Sequence, residues 1–188
     1  MKTWSENGSK GTPKKAGIFL ATKFSLQALP GGTMSRNSSP EYAILAYEAS
    51  LSRLGLSCID LYYCHRLDGK TPIEETLRAM IQLKNEGKIK YLGLSECSAE
   101  SLRRAYKIHP ISAVQTEYSP FSLEIESPQY KLLETCRELG VALVAYSPLG
   151  RGMMSSTLRS PDDLEDHDFR KILPRFFERE LPENPATG

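Results

Sequence analysis

Apolar and polar positions along the chain follow two patterns that take turns. Short β-prone runs are separated by longer stretches in which apolar residues return at helical spacing. The first strand is predicted at Ile18-Phe-Leu-Ala-Thr-Lys23, followed by a loop rich in Gly, Ser and Pro from Leu29 to Pro40. A helix is expected from Pro40 to Leu54, with proline tolerated in the first turn, Ser39 as the cap and Gly55 as the stop. The second strand is Cys58 to His65. Thr71 then stands where a cap belongs, with Pro72 at the first helical position and Glu74 at capping-box spacing, for a helix that stops at Gly87. The third strand is Ile89 to Ser95, and Ser98 caps a helix that ends near Ile108, ahead of His109-Pro110. The fourth strand is Ala113 to Tyr118. A helix from about Gln129 to Leu139 stops at Gly140, and the fifth strand is Val141 to Ser147.

Strands and helices thus alternate with short connections, which implies a parallel sheet with right-handed crossovers. Two α/β architectures compete: a doubly wound sheet and a (β/α)₈ barrel. A dinucleotide-binding doubly wound sheet carries G-x-G-x-x-G after its first strand, and no strand here is followed by it. No G-x-x-x-x-G-K-[ST] loop is present either. The expectation is one domain, a partial TIM barrel of about five parallel strands, with residues 17–152 as barrel core and 153–188 as an irregular tail.

Composition narrows the setting. Among 188 residues, 40% are apolar and 25% charged, as in soluble globular proteins, and the formal net charge of +1 offers no footprint for nucleic acid or an anionic membrane. No apolar run is long enough to span a bilayer, and Met1 to Gly17 lacks the apolar core of a signal peptide, so a cytoplasmic protein is expected. The cysteines Cys58, Cys64, Cys97 and Cys136 include no C-x-x-C pair, which argues for reduced thiols and against zinc.

In a barrel the chemistry sits at the C-terminal ends of the strands. Those ends read Lys23, His65, Ser95 with Glu96, Gln115 with Tyr118, and Tyr146 with Ser147. Alternation puts Ile59, Leu61, Tyr63 and His65 on one face and Asp60 on the other, near the strand start. Taken singly, Lys23 reads as an exposed strand-end lysine, His65 as a hydrogen-bonded histidine and Glu96 as a loop carboxylate. Their shared location is the signal, and Lys23, His65, Ser95, Gln115 and Tyr146 are expected at one mouth of the sheet.

Five segments carry a resemblance to the aldo-keto reductase family: Ile18-Phe-Leu-Ala-Thr-Lys-Phe24, Ile59-Asp-Leu-Tyr-Tyr-Cys-His-Arg66, Gly87-Lys-Ile-Lys-Tyr-Leu-Gly-Leu-Ser95, Val114-Gln-Thr-Glu-Tyr-Ser119 and Ala145-Tyr-Ser-Pro-Leu-Gly-Arg-Gly152. They occur in the family's order and spacing, and Asp168-Phe-Arg-Lys-Ile-Leu-Pro-Arg-Phe176 resembles the branch of pyridoxal reductase-like and auxin-induced-protein-like enzymes. The likeness is nearly continuous from Ile18 to about Phe177.

The resemblance implies an oxidoreductase that transfers a hydride from NADPH to an aldehyde or ketone. Lys23 matches the family's catalytic lysine, which lowers the pKa of a proton-donating tyrosine, and His65 matches the histidine that orients the carbonyl. Ser95 and Gln115 match the positions that bind the nicotinamide carboxamide. Tyr146 matches the aromatic that stacks on the ring, and Ser147, Leu149 and Arg151 match the loop along the pyrophosphate. Glu96 stands where many relatives have Asn.

The family's D-x-A-x-x-Y-G motif, which holds its catalytic Asp and Tyr, has no counterpart here, and Tyr62 and Tyr63 lie within a different strand. By the resemblance, strands one, two and eight are absent, with the eighth strand's contacts to the 2′-phosphate and adenine. The expectation is therefore a truncated reductase with little turnover of its own. The alternative is a non-catalytic remnant that binds a partner or regulates a relative. An unrelated barrel acting on phosphorylated substrates is disfavoured by the missing glycine-rich phosphate loop.

Overall fold

The computed structural model describes residues 18–154, 161–173 and 176. Its main sheet contains five strands: β1 (Ala21–Phe24), β4 (Ile59–Cys64), β5 (Ile89–Ser95), β6 (Ala113–Glu117) and β7 (Ala142–Tyr146). A separate antiparallel pair, β2 (Leu26–Ala28) and β3 (Met34–Arg36), follows β1. Four helices alternate with the strands: α1 (Pro40–Leu54), α2 (Ile73–Asn85), α3 (Ala99–Ile108) and α4 (Leu132–Leu139).

All pairings in the main sheet are parallel, and the spatial order β1-β4-β5-β6-β7 follows chain order without reversal. A doubly wound sheet reverses direction at a switch point, whereas each crossover here steps the same way, as around a barrel. The fold is a partial (β/α)₈ barrel. Its helices cover one face, where Tyr62, Cys64, Leu92, Leu94 and Val114 meet Tyr47, Leu77, Met80, Leu83 and Leu102 in the main core. Tyrosines reach into this layer because their hydroxyls are satisfied: Tyr62 donates to the Ala43 carbonyl and Tyr47 to the Lys88 carbonyl, both at 2.8 Å. On the other face Leu61, Tyr63 and Ala113 form a small buried cluster. A Cβ on Gly93 would lie 2.4 Å from the Tyr63 ring, so the ring crosses β5 only because residue 93 has no side chain.

Local signals explain most boundaries. Ser39 accepts from the Tyr42 N–H at 3.2 Å, Ser98 from the Ser101 N–H at 3.0 Å, and Gly55 closes α1 in the left-handed region. Three features depart from expectation. The segment between β1 and α1 is not all loop, because Gly31 and Gly32, with φ of 89° and 82°, turn the chain into the β2–β3 ribbon. Thr71 does not cap α2: its N–H and hydroxyl both bond to Asp68, and Pro72 occupies the cap position. Helix α4 begins at Leu132 rather than Gln129, since Lys131 adopts a left-handed φ of 49°.

After β7 the described residues form short 3₁₀ turns, and Met153, Leu164 and Phe176 make a second apolar cluster with Phe121 and Leu173 beside it. Asp60 accepts from the Leu20 N–H at 2.7 Å and pairs with Lys90 at 2.9 Å, tying the approach to β1 onto β4 and β5. The four cysteines are free thiols. Among the described residues, no group of three or more His, Cys, Asp or Glu side chains could hold a metal, and no helix is long and apolar enough to cross a membrane.

Candidate active site at the strand ends

Residues paired in register across a parallel sheet point to the same face. One row on the face away from the helices is therefore Lys23, Tyr63, Gly93, Ala113 and Ala142. Two residues further along, Ser95 pairs with Gln115 and Gln115 with Val144. His65 enters this row one residue beyond β4, where its N–H extends the ladder to the Phe24 carbonyl at 2.9 Å. A last row pairs Glu117 with Tyr146. Lys23, His65, Ser95, Gln115 and Tyr146 thus share one face, toward the C-terminal ends of five neighbouring strands.

Ser95 is buried, His65, Gln115 and Tyr146 are half-buried, and Lys23 is exposed at the rim. The Lys23 ammonium sits 5.9 Å from the Tyr63 ring centroid. Partial burial of that ammonium, and then the Arg66 charge, lower its pKa. His65 is lowered too, by desolvation first, then by Arg66 and Lys23, with Glu96 opposing. A histidine held neutral keeps one ring N–H to donate and one nitrogen to accept. Tyr63, directly beneath Lys23, is 2% exposed and its phenol is pushed up by burial, so it makes a poor acid for a group at the mouth.

Three charged residues absent from the expected site set join it. Arg66 donates from Nη1 to the His65 carbonyl at 2.8 Å and to Ser95 Oγ at 3.2 Å. Because Ser95 accepts there, its own hydroxyl hydrogen is left to donate elsewhere. Glu96 accepts the Glu117 N–H at 2.9 Å. Burial pushes the Tyr146 phenol up to about 12, helped by its hydrogen bond to Glu96 and that carboxylate's charge. Glu117 binds Arg151 through two bonds, Nε to Oε1 at 3.2 Å and Nη2 to Oε2 at 2.8 Å. The sequence signal for Glu117 was parity with Gln115, and for Arg66 adjacency to His65; neither reveals what the side chain meets.

The loop after β7 is anchored rather than open. Ser147 and Arg151 take left-handed φ values of 52° and 57°, as do Ser25 at 97° and Glu96 at 50°. Ser25, Glu96 and Ser147 directly follow strand C-termini and Arg151 lies further along the loop after β7, and such strained positions cluster at functional sites. The Arg151 guanidinium is held by Glu117 and lies 5.5 Å from the Phe169 ring centroid, while its carbonyl accepts from Arg170. Leu149 is 66% exposed.

These features accompany a clear kinship. The model of the aldo/keto reductase family matches residues 5–185, and the chain belongs to that family. It is 55% identical to aldo-keto reductase str7 of Strobilurus tenacellus over 173 residues, which are 92% of this chain and 50% of that one. It is 50% identical to aldo-keto reductase yakc [NADP(+)] of Schizosaccharomyces pombe over 168 residues, 89% of this chain and 49% of that one. Among solved structures, a glycerol dehydrogenase from Gluconobacter oxydans superposes with a TM-score of 0.77 at 29% identity, covering 84% of this chain and 49% of its own. The chain spans about half the length of the curated relatives it matches.

Proposed function

We propose that this chain carries the nicotinamide-facing and carbonyl-facing parts of an NADP(H)-dependent carbonyl reductase site. The observation that carries the reading is the single face on which Lys23 and His65 stand beside Ser95, Gln115 and Tyr146. The donor set suits the cofactor. A carboxamide needs a hydrogen-bond donor and an acceptor, which the Ser95 hydroxyl and Gln115 amide supply, and a planar ring needs a stacking face, which Tyr146 supplies. The name of the Schizosaccharomyces pombe relative, which includes NADP(+), supports the same choice. When bound, NADPH supplies the hydride that reduces an aldehyde or ketone carbonyl.

The chain's own residues would prepare the carbonyl. His65, kept neutral by desolvation and neighbouring cations, donates a ring N–H to the carbonyl oxygen and fixes its orientation. The Lys23 ammonium favours negative charge developing on that oxygen and would lower the pKa of any phenol placed beside it. Ser147, Leu149 and Arg151 would line the pyrophosphate, Arg151 by sharing its guanidinium between phosphate and Glu117.

The reading is tested by titrating the chain with NADPH and following cofactor fluorescence. Tyr146→Ala should weaken binding by roughly 1–3 kcal/mol, the range for a base stacked on an aromatic side chain. Lys23→Met should leave affinity within about threefold, because the ammonium faces the carbonyl rather than the cofactor. Equal losses in the two variants would overturn the division of roles.

A further inference from the structure

The cations Lys23 and Arg66 lie on the β1–β4 flank, whereas the β5–β7 flank carries the carboxylates Glu96 and Glu117 together with the Arg151 guanidinium. Glu117 is neutralised by its two bonds to Arg151. Glu96 has no cationic partner in direct contact among the described residues. It follows Ser95 immediately, its left-handed φ of 50° turns the chain there, and the Glu117 N–H and Thr116 hydroxyl hold Oε1 at 2.9 and 3.5 Å. The same carboxylate raises the pKa of the Tyr146 hydroxyl, after burial. A fixed negative charge is thereby placed between the residue proposed to bind the carboxamide and the one proposed to stack on the ring.

Resting on the cofactor reading above, we propose that Glu96 makes this mouth discriminate between the two charge states of the nicotinamide cofactor, favouring the oxidised form. The oxidised ring carries a positive charge and the reduced ring is neutral. A carboxylate beside the stacking face therefore attracts one and is indifferent to the other. A unit charge several ångströms from the ring in a half-exposed site corresponds to roughly a three- to tenfold difference in affinity. Lys23 and Arg66 act against this preference from the opposite flank, so the effect of Glu96 is read from a change in ratio on substitution rather than from the wild-type ratio. Any influence of Glu96 on the Tyr146 hydroxyl is a separate effect that serves both forms of the cofactor equally.

The experiment measures affinity for NADPH by its fluorescence and for NADP⁺ by competition. It uses the wild-type chain and the variants Glu96→Gln, Glu96→Asn and Tyr146→Phe. Both Glu96 variants retain an oxygen that accepts the Glu117 N–H, so one of them remains informative if the other fails to fold. The expected result is that removing the charge weakens NADP⁺ roughly three- to tenfold more than NADPH, and that raising the salt concentration shrinks the difference. Tyr146→Phe, which removes the hydroxyl and keeps the Glu96 charge, should affect both forms alike. An unchanged ratio in the Glu96 variants, or an equal change in Tyr146→Phe, would overturn this inference and leave the cofactor site standing. Failure of the wild-type chain to bind either form would overturn both.

Discussion

At the scale of single residues, the mouth is a set of opposed influences on His65. Arg66 and Lys23 lower its pKa and Glu96 raises it, on top of desolvation. Arg66→Gln should therefore raise the His65 pKa and Glu96→Gln should lower it, both measurable by NMR titration of the imidazole protons. Shifts of the same sign in the two variants would contradict the arrangement. The stability consequence has a definite direction as well. A histidine whose folded pKa is depressed penalises the folded state as pH falls below the unfolded value of about 6.5, and it contributes nothing above that value. Position at successive strand ends was enough to expect Lys23, His65, Ser95, Gln115 and Tyr146 at one mouth, and the register of the sheet puts them on one face. The sequence also put Glu96 at a strand end, but it could not reveal Arg66 as a member of the mouth or what Glu96 meets there, since their partners come from neighbouring strands and a left-handed backbone turn.

At the scale of elements, two devices hold the strand ends. The first is Asp68, in the connection from β4 to α2. Desolvation alone would raise its carboxyl, but N–H groups of Thr71, Ser38 and Lys70, with the Thr71 hydroxyl, hold it well below the usual carboxylate range. Ser38 returns the favour by accepting the Asp68 N–H at 3.2 Å and presents its own carbonyl to Thr76 at 2.7 Å. A depressed carboxyl stabilises the fold fully above the unfolded pKa of about 3.9, and the contribution is lost as pH falls through the folded value. Asp68→Asn should cost on the order of 1–3 kcal/mol near neutral pH and flatten the acid limb of stability, as read by urea unfolding across pH. The second device is Gly93. Gly93→Ala places a methyl against the Tyr63 ring and should cost about 1–3 kcal/mol in the same assay, with the Phe24–Tyr62 stack on the far face undisturbed. The caps at Ser39 and Ser98 were legible because the capping serine competes with no stronger partner. Thr71 was misread because Asp68, three residues earlier, takes both of its donors. The β2–β3 ribbon was missed because three-residue strands are too short to show a period.

At the scale of the molecule, the barrel-type order of the sheet followed from alternating elements and from the absence of a dinucleotide-binding glycine motif. Those signals fix connectivity but not the local stability of each strand. Strand β4 lies between β1 and β5 and all six of its residues are buried, whereas β7 pairs with β6 and three of its five residues are exposed. Amide hydrogens of β4 and β5 should exchange slowest, and those of β7 faster by orders of magnitude. Uniform protection across the sheet would contradict this gradient.

The central claim, that the cofactor and carbonyl meet on the face shared by Lys23 and Tyr146, is tested most directly by mapping NADPH onto the chain with NMR chemical shifts. Ser95, Gln115, Tyr146 and Ser147 should move, with His65 moving further when an aldehyde is added to the NADP⁺ complex, while Phe19 and Tyr91 at the opposite end of the same face stay still. Perturbations centred on Phe19 and Tyr91, or on the helical face around Tyr47, would contradict it.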